Sequence, residues 1–351
     1  MMSEKVIFRC DAGSKQEVGS GHIMRSINLA NEFLNQGLID RKDLVFYTRG
    51  DNQFQLGEKL LQNSGFKYKV FSNNELRTNS QSEINILRSS GASLIIMDRL
   101  ETTKELVRQI ISEDKKIVTF DDYGSGRSFA TFSICAIFDD LSKAKNLYRG
   151  YEYLILSNKI KDLSNFNLLP KRIVATFGGY DARDLTQHFI DNIPRLPDYC
   201  SVDIIIGSNL RSKFSVYSRQ VKLLRAHKKV VIHARPSNYY QILSKADIGV
   251  CSGGLSIFEF ASIGIASIGL PQYMHQLNTI QKLEKDGICL LGSNNMNLSD
   301  EKFNSTLKIL LNNSQIRQEM SNSETKKIPS NGLMKVTQLF KERFPYIFSI
   351  N

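Results

Sequence analysis

Between residues 6 and 120, short apolar runs alternate with longer stretches in which apolar residues recur every three or four positions. The runs 6–10, 44–48, 68–71, 94–97 and 117–120 read as strands. In the stretch 23–34, Ile23, Ile27, Ala30 and Leu34 share one helical face, and Gly37 follows as a stop. The stretches 54–64, 82–90 and 103–112 are helical too, and Gly65 and Gly91 close the first two. Apolar strands separated by helices predict a parallel sheet covered on both faces.

After a polar connector at 158–170 the pattern restarts. Strands are predicted at 172–177, 202–206, 230–232, 248–251 and 266–270, with helices at 185–193, at 239–245 and after Gly254. The tail, 300–344, is rich in Lys and Asn and mostly helical. The expected fold is α/β: two doubly wound, Rossmann-like domains facing a cleft. The boundaries expected are 1–157, a linker at 158–170, and 171–351 with the helical tail included. In such sheets ligands sit beyond the carboxyl ends of the strands.

Candidate chemistry gathers at those ends. Gly19-Ser20-Gly21-His22 links the first strand to the first helix. Glycines let backbone approach a ligand closely, and a helix start presents free N–H groups and positive potential. That potential favours a neutral imidazole, so His22 is a candidate general base. Cys251-Ser252-Gly253-Gly254-Leu255-Ser256 repeats the strand–glycine–helix arrangement. The backbone of Gly253, Gly254, Leu255 and Ser256 suits a diphosphate. Glu259 then either caps that helix with Ser256 or accepts ribose hydroxyls; one carboxylate does not easily do both. Asp98, Asp121, Asp122 and Asp181 lie at strand ends, where a carboxylate is either a helix cap or a ligand for sugar or water. Gln276, after His275, falls on the same rim, whereas His188, His227 and His233 read as structural.

Composition narrows the function classes. Net charge is +11, but Lys and Arg are scattered among acids, which argues against nucleic-acid binding. The five cysteines include no CxxC pair, so neither a metal site nor a disulfide framework is expected. No signal peptide is read at the start, and no spanning helix is expected. The apolar stretch 248–281, whose single formal charge is Glu259, is broken by glycines and Pro271 and suits a core. A cytoplasmic setting is expected, with membrane association peripheral at most. The dinucleotide fingerprint lacks its third small residue, since Met24 stands there, and there is no GxxxxGK[ST] loop. No cofactor is expected.

These motifs together resemble the PseG/SpsG family, UDP-2,4-diacetamido-2,4,6-trideoxy-β-L-altropyranose hydrolases of pseudaminic acid biosynthesis. The resemblance rests on Phe8-Arg9-Cys10-Asp11 with Gly19-Ser20-Gly21-His22-Ile23-Met24-Arg25, on Ile96-Met97-Asp98, and on Phe120-Asp121-Asp122. It continues through Thr176-Phe177-Gly178-Gly179-Tyr180-Asp181 and the block Gly253-Gly254-Leu255-Ser256 with Glu259 and Gln276. It spans most of the chain and implies a GT-B architecture like that of MurG-type glycosyltransferases. It also implies His22 as catalytic base and UDP bound by the second glycine motif; a carboxylate such as Asp11 or Asp98 is expected to orient the imidazole or the sugar. By the same resemblance Gly19, Gly21, Arg25, Asp121, Gly178, Gly179 and Asp181 contact substrate. Cys135, Tyr180 and Arg99-Leu100-Glu101 depart from the family pattern at positions expected to face the sugar. The expected reaction is metal-independent, inverting hydrolysis of a UDP-linked deoxyamino sugar. A glycosyltransferase of the same architecture and a non-catalytic nucleotide-sugar binding protein are the alternatives.

Overall fold

The computed structural model describes residues 5–13, 19–51, 53–138, 144–160, 163, 166–207, 213–224 and 229–348. His227 lies outside the described residues. By its contacts the chain divides into two units, residues 1–158 with 331–351, and residues 159–330.

The first unit holds strands Val6–Cys10 (β1), Leu44–Arg49 (β2), Lys67–Phe71 (β3), Leu94–Asp98 (β4), Lys116–Phe120 (β5), Phe132–Cys135 (β6) and Leu147–Arg149 (β7). Its helices are Gly21–Asn35 (α1), Gln55–Ser64 (α2), Gln81–Ser89 (α3) and Lys104–Ile110 (α4). All pairings are parallel, in the order β3-β2-β1-β4-β5-β6-β7. The chain leaves the sheet centre in opposite directions from β1 and β4, which makes their carboxyl ends the switch point where such sheets bind ligands.

Strand alternation divides the side chains between two layers. Ile7, Val45, Ile95, Met97 and Ile117 pack with Ile84 and Leu87 of α3 and with Leu106 and Ile110 of α4. On the α1 side, Phe8 stacks on Phe46 at 4.8 Å. Asp98 shares the α1 side with Leu94 and Ile96 by parity, while Arg9 follows Ile7 to the α3 side.

The second unit holds Arg172–Thr176 (β8), Ser201–Ile206 (β9), Val230–Ala234 (β10), Ile248–Cys251 (β11), Ser267–Gly269 (β12) and Cys289–Leu291 (β13). The helices Leu185–Asn192 (α5), Phe214–Leu224 (α6), Tyr239–Leu243 (α7), Leu255–Ile263 (α8), Met274–Lys285 (α9), Asp300–Asn312 (α10) and Ser314–Lys327 (α11) surround its sheet. The order β10-β9-β8-β11-β12-β13 is again parallel and reverses between β8 and β11.

The last helix, Gly332–Arg343 (α12), departs from the sequence reading. The domain expected over 171–351 ends at 330, because residues 331–351 pack in the first unit. Phe340 meets Phe33 of α1 and Phe132 of β6, both at 5.2 Å, and Phe348 meets Phe33 at 4.6 Å. Phe340, Phe344 and Phe348 recur every four residues, and this aromatic stripe completes the α1 side of the first core. Among the described residues no helix is long and apolar enough to cross a membrane.

Candidate functional site

In the first unit the switch point carries a linked set of ionisable groups. Gly19 precedes α1 and Gly21 opens it, so His22 stands in the first turn. Residues 14–18 of the loop lie outside the described residues. No side chain caps this helix start. His22 Nδ1 is 2.7 Å from Asp98 Oδ1. One turn on, Arg25 grips the same carboxylate with two donors, Nε to Oδ2 at 2.7 Å and the second amino group to Oδ1 at 2.6 Å. Its other amino group bonds Asp121, whose remaining oxygen accepts the backbone N–H of Ala136 (2.7 Å) and Ile137 (2.9 Å). Spacings of three and four residues explain the arrangement: His22, Arg25 and Ser26 share the face of α1 that lies over the end of β4.

Burial opposes charge on Asp98, but the Arg25 cation and the hydrogen bonds from Arg25 and His22 hold its carboxyl below the ordinary carboxylate value. An ionised Asp98 makes Nδ1 the protonated ring nitrogen and leaves the lone pair on Nε2. The His22 side chain is 17% exposed, against 1% for Asp98. A partly accessible imidazole oriented by a buried carboxylate is an arrangement that takes up a proton.

Asp11 belongs elsewhere. It pairs with Arg9 at 2.8 Å and with Arg49 at 2.7 Å, and it accepts the Arg49 backbone N–H at 2.9 Å. Burial opposes its charge, yet Arg9 and Arg49 together hold it far below the ordinary range. Of the two carboxylates expected near the base, Asp98 holds His22 and Asp11 ties β1 to β2. Arg99 is buried and bonds Glu83, itself paired with Arg9. Cys135 is buried as well. Asp122 accepts the backbone N–H groups of Thr102 and Gly124, a turn-forming role. An open cavity of about 380 Å³ beside Phe54 and Asn73 includes none of the predicted site residues in its lining.

In the second unit β8 and β11 end in the two predicted glycine turns. Gly178 has φ +77, a left-handed conformation that suits glycine. Asp181 spends both oxygens on the N–H groups of Leu185 and Thr186, and so fixes the Gly178-Gly179 turn to the start of α5. That is the capping role, and burial pushes its carboxyl up despite those bonds. Gly254 stands at the cap position of α8, with no side-chain cap bond. A Cβ on Gly253 would lie 2.7 Å from the backbone oxygen of Gln276, so α9 packs against the turn itself. Gly253→Ala is therefore expected to cost about 1–3 kcal/mol, read as a lower urea midpoint with an unchanged slope. An unchanged midpoint would contradict the close packing.

Gln276 Oε1 accepts the Gln272 N–H at 3.0 Å, which commits the carbonyl end. Its amide nitrogen lies 4.0 Å from where a Gly254 Cβ would stand, a donor beside the open start of α8. The capping reading of Glu259 is corrected. The helix begins at Leu255, so Ser256 is already inside it, and the Glu259 carboxylate turns instead to α7. Tyr239 Oη donates to Oε2 at 2.7 Å and Tyr240 Oη to Oε1 at 3.1 Å. Burial pushes Glu259 up, and the two phenols offset this only in part. Sequence reasoning missed both tyrosines, since nothing local links 239–240 to 259. His188 approaches Asp300 at 3.4 Å, and His233 bonds Asp203 at 2.6 Å; neither belongs to the two glycine turns.

Residues 173–332 match the model of the glycosyltransferase family 28 C-terminal domain. The spore coat polysaccharide biosynthesis protein SpsG of Bacillus subtilis is 23% identical over 93% of this chain and 96% of its own length. The chain is of GT-B fold and resembles SpsG. The likeness to the PseG/SpsG family read from the motifs is thereby borne out. An uncharacterized protein, MJ1062 of Methanocaldococcus jannaschii, is 24% identical over 73% of this chain, which spans only 54% of that relative. Among solved structures, MurG of Acinetobacter baumannii superposes with a TM-score of 0.66 at 13% identity, covering 96% of this chain and 99% of MurG. Anabaena HepE, solved with UDP and glucose, gives 0.56 at 13% identity over 97% and 99%. At such identities these structures speak for the fold alone.

Proposed function

We propose that the chain hydrolyses a UDP-linked deoxyamino sugar at the anomeric C–O bond, with His22 as the general base. The observation that carries this reading is the His22–Asp98 pair, held by Arg25 at the switch point of the first sheet. A water oxygen attacks the anomeric carbon while Nε2 of His22 takes its proton. The bond from that carbon to the diphosphate oxygen breaks, and UDP leaves with the electron pair. Attack opposite the leaving group inverts the centre. UDP is a good leaving group, so the reading needs no strong acid. The open start of α8 at Gly254 suits the charge that develops on the diphosphate, and the Gln276 amide suits a phosphate or sugar oxygen. Glu259 would accept the ribose hydroxyls. Sugar-nucleotide processing in polysaccharide biosynthesis is the broader class, supported by the family 28 domain and by the likeness to SpsG.

A glycosyltransferase is the second reading, and the family 28 match favours it directly. The same base would then deprotonate an acceptor hydroxyl in place of water. Incubating the protein with a panel of UDP-, GDP- and CMP-sugars and no acceptor, followed by NMR, separates the two. Rapid release of UDP and a free sugar of inverted configuration is expected. Release that waits on an added acceptor would establish the transferase.

A further inference from the structure

Glu259 is buried, at 9% exposed, and among the described residues no Lys or Arg bridges its carboxylate. A buried carboxylate without a cation is retained only where hydrogen-bond donors surround it. Two donors are present: the phenols of Tyr239 and Tyr240, adjacent residues of α7, reach different oxygens of the same carboxylate. Their rings meet nearly edge to face at 5.0 Å, which fixes one against the other. Tyr239 Oη also lies 3.4 Å from Ser256 Oγ, one turn back on α8. A carboxylate offers about four lone-pair positions, so two remain after the phenols are served. Those two lie on separate oxygens, the spacing a vicinal diol requires.

We propose that Tyr239 and Tyr240 are positioning residues that hold Glu259 as a two-point acceptor for a ribose 2′,3′-diol, making the site select ribonucleoside over 2′-deoxyribonucleoside diphosphates. The donor sugar would then arrive on UDP and be refused on thymidine diphosphate. This inference rests on the reading of Glu259 as the ribose acceptor. It adds to that reading the groups that aim the carboxylate and the class of nucleotide it rejects.

Calorimetry with UDP and with 2′-deoxy-UDP tests it on the wild type, Tyr239→Phe, Tyr240→Phe and Glu259→Gln. The wild type is expected to favour UDP by about tenfold or more, as befits hydrogen bonds to a charged group. Each phenylalanine variant should lose most of that ratio, because UDP, held at both hydroxyls, weakens more than 2′-deoxy-UDP, held at the 3′-hydroxyl alone. A structural role would weaken both ligands equally, and that outcome overturns the proposal. If Glu259→Gln loses the ratio while both phenylalanine variants keep it, Glu259 reads the ribose and the tyrosines do not aim it. If Glu259→Gln keeps the ratio, the ribose reading itself fails and the proposal with it. Should Tyr239→Phe not fold, Tyr240→Phe carries the same expectation through the other oxygen.

Discussion

His22→Asn is expected to lower kcat on a UDP-sugar by about 10²–10⁴-fold, the usual contribution of a general base, while UDP binds as it does to the wild type. The asparagine keeps a polar side chain in the first turn of α1 but has no group to take a proton from water. His22 is partly accessible, and both Arg25 donors still hold Asp98 when the imidazole is gone, so the fold should tolerate the change. Single-turnover kinetics beside UDP calorimetry supply the check. A variant that turns over like the wild type removes His22 from the reaction. A parallel loss of UDP affinity would mean that His22 serves binding and not proton transfer.

The second large effect belongs to Asp98. It is nearly fully buried, receives two donors from Arg25 and one from His22, and stays ionised against the pull of burial. Asp98→Ala leaves the buried Arg25 guanidinium with Asp121 as its remaining carboxylate partner. Removing one member of such a buried pair costs about 3–5 kcal/mol, read as a fall in the urea midpoint. Asp98→Asn keeps the shape and removes the charge. It should fold, yet lose about 10²–10⁴ in kcat, because an amide neither enforces the Nδ1–H tautomer nor stabilises imidazolium. Wild-type turnover in Asp98→Asn would show that the carboxylate does not orient the base. An unchanged urea midpoint in Asp98→Ala would contradict the buried pairing.

Much of this was legible in the chain because its signals are local. An apolar run, a glycine turn and a helix follow one another closely at His22, where the helix is amphipathic, and again at Gly253, where it is apolar and buried, and both turns stand at switch points. Side-chain direction was harder to read. Asp11 and Asp98 both end central strands of one sheet, and position alone does not say which meets the base. Asp98 falls on the α1 side of β4, whereas Asp11 is drawn to Arg49 on β2. Asp181 shows the same limit in reverse, since the cap reading suited it better than the substrate reading. The Glu259 cap failed over one residue: α8 starts after Gly254, which draws Ser256 inside the helix. Sequence reasoning missed the short strands β6, β7 and β13, of three or four residues each. The tyrosine pair and the α12 stripe depend on contacts distant in sequence, and propensity carries no information about those.

The return of α12 to the first unit sets an order on biosynthesis. Vectorial translation delivers residues 159–330 as one uninterrupted segment, so the second unit has its whole sequence before the final helix is made. The first unit begins earlier and finishes later. Until Phe340 and Phe348 leave the ribosome, Phe33 and Phe132 lack the rings that cover them in the finished protein. A nascent chain halted just before α12 would therefore present this aromatic floor to chaperones, while the younger unit behind it was already able to close.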